Sequence, residues 1–176
     1  MGIFKAAGQF ITGQYKESAE EVWKLIQGWK FFAEHEVVVG ITEESNVSEG
    51  PFTSAGLLYL HEQGVPSRNI PPRAVLEPAL AQEDVKENIE NMMMDAAEAA
   101  LVQGNVELAM DCFEKAGMLG RDACRDYGTS GKVSPQNAPS TIAAKKRKGD
   151  NGKGSPVALI DTGAMVDSFS YAVRKK

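Results

Sequence analysis

Apolar residues change their spacing along the chain, and each spacing predicts an element. From Lys16 to about Phe32, the residues Ala19, Val22, Trp23, Ile26 and Trp29 recur at three- and four-residue steps, the period of one helix face. Glu17, Glu20 and Glu21 stand near the start, where the helix dipole favours anions. An amphipathic helix over 16–32 is the expectation. The β-branched run from Glu36 to Ile41 is too short for a helix and is ended by polar residues, so it reads as a buried strand. Polar residues and Gly50-Pro51 then make 42–53 a flexible loop.

Ser54 can cap a short helix over 55–63 that stops at Gly64. Pro66, Pro71 and Pro72 impose an extended path, because each pushes its predecessor out of the α region. A long helix is expected from 76 to 103, with Pro78 tolerated in its first turn and Val85, Ile89, Met92, Met93, Ala96 and Ala100 as its apolar positions. After Gly104, Asn105 caps another helix over 105–127, with Gly117 and Gly120 as candidate kinks. The segment 128–156 is rich in Gly, Pro, Ser, Asn and Lys and reads as a basic flexible arm, with one helical turn expected over 140–145. Asp161-Thr162-Gly163 can cap a short helix over 164–167, and the alternation 168–173 predicts a strand. The expected fold is a single α+β domain with helices packed on a small, mostly antiparallel sheet built from 37–41 and 168–173.

A chain of 176 residues that is 43% hydrophobic supports one modest core. No apolar run approaches the ~20 residues that cross a bilayer, and the first residues lack the pattern of a secretory leader, so no membrane contact is expected. Gly2 does not make a myristoylation signal, because Ala6 stands where that motif needs a hydroxyl. Cys112 and Cys124 fall in one helical stretch without metal-knuckle spacing and read as buried thiols. The net charge of −5 hides an uneven distribution. Residues 1–120 carry 8 Lys and Arg against 19 Asp and Glu, whereas 121–176 carry 11 against 5. An acidic body with a basic arm suits contact between identical copies, or contact with nucleic acid.

Signatures of catalysis are absent from the sequence. The nearest match to a phosphate loop, Asp126 to Val133, has Asp for its first glycine and Val for its hydroxyl residue. His35 and His61 stand beside glutamates but in no zinc-protease spacing, and no GxSxG elbow occurs. Met92-Met93-Met94 fits adaptable core or interface filling better than a soft metal site. The expectation is a non-enzyme with no catalytic, cofactor or metal residues.

Four blocks are more distinctive: His61-Glu62-Gln63-Gly64; Ile70 to Leu80 (IPPRAVLEPAL); Ala138 to Ala143 (APSTIA); and Leu159-Ile160-Asp161-Thr162-Gly163 with Ser168 and Tyr171. Their order resembles the tail-completion, or neck, proteins of tailed bacteriophages, a minor tail family with relatives in prophages. Members of that family typically show a helix ending in E-x-G, then IPARPFLRPAL leading into a long helix, then PLAPSTIAxKG, and finally PLIDTGxLxxSIxY. The likeness spans roughly 36–173, and this chain departs from it at Ala74, Val75 and Glu77, where a proline, an aromatic and an arginine are usual.

The resemblance implies a virion protein, assembled in the host cytoplasm, that forms a ring of six copies at the head-proximal end of the tail. Its implied partners are itself and the neighbouring tail terminator, tail tube and head-connector proteins. Candidate interface residues are Ile70, Pro71, Arg73, Leu76, Lys145, Lys146, Arg147, Lys148, Asp161 and Thr162. Proline stiffening lowers the entropy lost when 70–74 docks, and the planar Arg73 fork suits a carboxylate on a helix or on a neighbouring subunit. The plainer alternative has Ile70 and Leu76 plugging the core with Arg73 solvated. The basic run 145–148 can neutralise phosphates of DNA in a channel, or simply be a solvated loop. The alternative function is a small DNA-binding module using the basic C-terminal third.

Overall fold

A computed structural model of the chain describes residues 3–49, 51–147, 157–160 and 163–176. The fold is α+β. Helix α1 (Ile3–Glu34) extends well upstream of the expected start and leads directly into strand β1 (His35–Gly40). The switch falls where Val37, Val38 and Val39, stiff at χ1, favour extended backbone. His35 Nδ1 closes the last helical turn by donating to the Phe31 carbonyl (2.9 Å). β1 pairs antiparallel with the C-terminal strand β4 (Ser170–Lys175), Val37 opposite Val173 and Val39 opposite Tyr171. The two expected strands therefore form one ladder, with the second strand set two residues later than the sequence alternation placed it.

The segment 42–53 contains a minimal hairpin, β2 (Ser48–Glu49) against β3 (Phe52–Thr53). It leads into α2 (Ser54–Gln63), whose cap is Thr53 and not Ser54: the Thr53 hydroxyl accepts from the Gly56 N–H (3.1 Å). A 3-10 turn, Pro66–Arg68, follows. The expected single helix over 76–103 is three pieces. A five-residue α3 (Leu76–Leu80) ends where the Gln82 backbone turns extended (ψ 132°) and its side chain donates to the Ala79 carbonyl (3.1 Å). Helix α4 (Glu83–Ala97) restarts with Glu83 and Asp84 in its first turn, and a π-helical turn, Glu98–Val102, ends the run.

Helix α5 (Val106–Thr129) is the central element. Asn105 caps it as expected, accepting from the Leu108 N–H (3.0 Å). The helix runs unbroken through Gly117 and Gly120. They make one face small enough for the sheet to lie against the helix: a Cβ at Gly117 would overlap the Tyr171 ring, and one at Gly120 would lie 2.8 Å from Val39. Two apolar clusters flank α5. One gathers Phe31, Ala100, Cys112 and Phe113, with Phe31 and Phe113 ring centroids 5.0 Å apart. The other gathers Val75, Ala79, Cys124, Val133, Met165 and Phe169. Both cysteines are free and buried. The glycine-rich segment after α5 holds a nine-residue helix, α6 (Pro139–Arg147), longer than the single turn expected, and α7 (Ala164–Asp167) precedes β4. Among the described residues, no helix is long and apolar enough to cross a membrane.

Gly28 sets how α1 meets this body. A Cβ there would lie 2.6 Å from the Ala100 carbonyl oxygen and 2.9 Å from its carbon, on the π-helical turn. Gly28→Ala is expected to destabilise the protein by about 1–3 kcal/mol in urea unfolding, because backbone and not a flexible side chain must give way. A gain of the ~1 kcal/mol that helix propensity alone assigns to Ala over Gly would show the contact is not made.

Candidate functional site

The first, second and fourth sequence blocks, together with residues that flank the third, are joined beside α2, α5 and α7. At the end of α2, Gly64 has φ 69°, and a Cβ there would lie 2.7 Å from the Pro72 nitrogen. Only glycine lets the proline segment fold back this closely at a positive φ. Val65 and Ile70 close the fold-back with two backbone hydrogen bonds (2.8 and 3.1 Å), and the Arg73 N–H donates to the His61 carbonyl (2.6 Å). One Glu62 carboxylate oxygen accepts from both the Val75 N–H (2.8 Å) and the Leu76 N–H (3.0 Å). Those groups open α3 and have no partner within the helix, so the glutamate of the first block caps the second.

Arg73 connects the second block to the segment just ahead of the third. Its Nε donates to the Pro135 carbonyl (2.8 Å) in an exposed bond, so the guanidinium is tied to its own chain while still meeting solvent, and among the described residues no carboxylate forms an ion pair with it. From α6, the Lys145 ammonium donates to the Val157 carbonyl (3.2 Å) and to the Ile160 carbonyl. Asn137 also donates to Val157 (3.2 Å). These bonds bring in the fourth block, which buries Met165, Val166 and Phe169 and hangs on α5 through Arg125. One Arg125 nitrogen donates to the Asp167 and Phe169 carbonyls, both at 2.8 Å. The buried Ser168 hydroxyl donates to the Ala164 carbonyl (2.7 Å) and lies 3.0 Å from the buried Ser54 hydroxyl. Almost every polar side chain here bonds backbone, an arrangement that holds segments in place.

The electrostatics are those of a packed site. Burial, and then the Arg73 charge, lower the pKa of His61, while Glu62 opposes them. His61 Nδ1 is buried with no hydrogen-bond partner among the described residues. Because the folded chain resists protonating His61, the unfolded chain binds more protons, and this contribution to stability is present above the ordinary value of 6.5. It is expected to be lost as pH falls through the lower folded value. Equilibrium unfolding across that range should show the slope in the wild type and a flatter one in His61→Leu. Burial pushes the Cys124 thiol up to about 11, so it is protonated and inert at neutral pH.

The expected interface residues divide. Arg73 and Lys145 lie at the junction, and Leu76 is half-buried against its core. Ile70 does not plug that core: it is 37% exposed and, with Phe52, Leu60, His61 and Val65, lines a shallow groove of about 470 Å3. Pro71, Lys146 and Arg147 are exposed, the last two in the final turn of α6. Lys148, Asp161 and Thr162 lie outside the described residues; Gly163 (φ 91°) precedes α7 without a side-chain capping bond. No three His, Cys, Asp or Glu side chains converge as metal ligands among the described residues.

Comparison with protein-family models, curated proteins and solved structures finds no match. Sequence reasoning missed Glu62, Arg125 and Ser54. Glu62 carried a signal, since it stands two residues before a helix-ending glycine and shortly ahead of a helix start without its own capping side chain. Arg125 carried none, because its acceptors are main-chain oxygens more than 40 residues away.

Proposed function

We propose that this chain is a structural protein of a tailed-bacteriophage virion, a tail-completion or neck component that assembles as a ring and helps join head to tail. The observation that supports this reading is the junction. Segments resembling that family's pattern, scattered over about a hundred residues, are tied together through Glu62, Arg73, Lys145 and the core around Phe169, the third of them by residues that flank it. A shared reason to keep those residues together is a rigid subunit whose surface is presented at fixed angles. Rings form when one heterologous contact repeats round an axis, which demands such rigidity.

Negative-stain imaging of the purified full chain tests the proposal, with annular particles enclosing a central opening as the expected result. The DNA-binding alternative is carried by Lys146 and Arg147, which remain exposed at the end of α6. A chain that stays monomeric and binds duplex DNA with affinity falling steeply with salt would replace the ring reading with that one.

A further inference from the structure

The junction leaves one conspicuous surface unused. Gly28 and Phe31 seat α1 on the body, but Val22, Leu25, Ile26 and Trp29 turn away from it, with Trp23 beside them. These five apolar side chains are 45% to 65% exposed. Their spacing of three, one and three residues is a single helical stripe.

We infer that this face of α1 is the contact surface for a second copy of this chain. Size is the first reason. At roughly 150–250 Å2 for a whole aromatic side chain, the five residues present on the order of 500 Å2 of apolar surface. A stable interface takes about 800 Å2 from each partner, and about 65% of its core is apolar. The stripe thus fills the apolar quota of one standard interface and sits at the upper end of what a solitary protein leaves exposed. Shape is the second reason. One turn beyond Trp29, Phe32 lines a largely apolar groove of about 640 Å3 with Val37, Val39, Ile89 and Met93, and Glu36, Lys86 and Glu90 also line it. One chain therefore carries both protruding indoles and an apolar hollow to receive them, the two halves that a head-to-tail contact between copies requires.

This inference rests on the ring reading only for closure into an annulus; the face itself needs only self-association. The chain has two tryptophans, Trp23 and Trp29, and both report from this surface. A dilution series of the full chain, read by sedimentation velocity together with tryptophan emission and acrylamide quenching, decides the matter. As the sedimenting species grows, emission is expected to shift to the blue and quenching to fall several-fold. Ile26→Glu should keep the far-UV circular dichroism of the wild type while holding the chain at the monomer's sedimentation with red-shifted emission. If that variant does not fold, the wild-type quenching series decides alone. Assembly with indoles as quenchable as in the monomer overturns the face and leaves the ring standing. A blue shift in a species that stops at two copies supports the face and overturns the ring. A monomer at every concentration overturns both.

Discussion

Replacing Phe169 with alanine is expected to remove about 3–5 kcal/mol of folding stability, the range measured when a buried aromatic is truncated in a core that cannot close over the cavity. Phe169 is fully buried in the cluster that includes Val75, Cys124, Val133 and Met165. Its carbonyl accepts from Arg125 at 2.8 Å and its N–H donates to the Val166 carbonyl at 3.2 Å. Backbone on both sides of the ring is therefore held, and local collapse into the cavity is resisted. For a chain of this length, that loss lowers the thermal midpoint by about 10 °C. Phe169→Leu, which keeps most of the volume, should cost under about 1.5 kcal/mol. Tyr59→Ala, at a side chain that is 67% exposed, should stay within about 0.5 kcal/mol of wild type. Equal losses for Phe169→Ala and Tyr59→Ala would show that the junction has no core.

Glu62→Ala is expected to cost about 2–4 kcal/mol. Each hydrogen bond to a charged acceptor contributes about 1.5–3 kcal/mol, and the alanine leaves the Val75 and Leu76 N–H groups without their acceptor, Val75 at a fully buried position. Glu62→Gln retains an oxygen that can accept and should recover part of the loss. The discriminating readout is amide hydrogen exchange at Val75 and Leu76, which should speed up sharply in the alanine variant, less in the glutamine variant, and little in the distant α4. Unchanged protection at those two amides would show that Glu62 does not hold the proline segment to α2.

What the sequence disclosed, and what it hid, follows the range of the interactions involved. The strand at β1, the Asn105 cap and the short helix before β4 are local matters of β-branched runs, capping side chains and apolar period, and each can be read within a few residues. The break at Ala81-Gln82 was hidden because apolar residues recur at helical spacing on both sides of it. Thr53 and Ser54 are adjacent hydroxyl residues and either could cap α2; the choice falls to Thr53 because Ser54 is taken up by Ser168, 114 residues away. The glycines of α5 suggested kinks, whereas their reason is the Tyr171 ring and Val39 of the sheet. Arg73 advertised a planar cation, yet its acceptor is the main-chain oxygen of Pro135, which no side-chain pattern reveals. Basic composition marked 145–148 as a mobile arm, while the Lys145 ammonium in fact holds the Val157 and Ile160 carbonyls.

The junction accounts for why these separated segments occur together, and the outward stripe of α1 accounts for how copies of so braced a subunit would adhere. Both serve the proposed role, a protein that fits against copies of itself. Native mass spectrometry of the full chain at micromolar concentration addresses that most directly. The expected spectrum is dominated by a closed assembly of six 19.0 kDa subunits, whereas a spectrum containing only the 19.0 kDa chain as concentration is raised would contradict it.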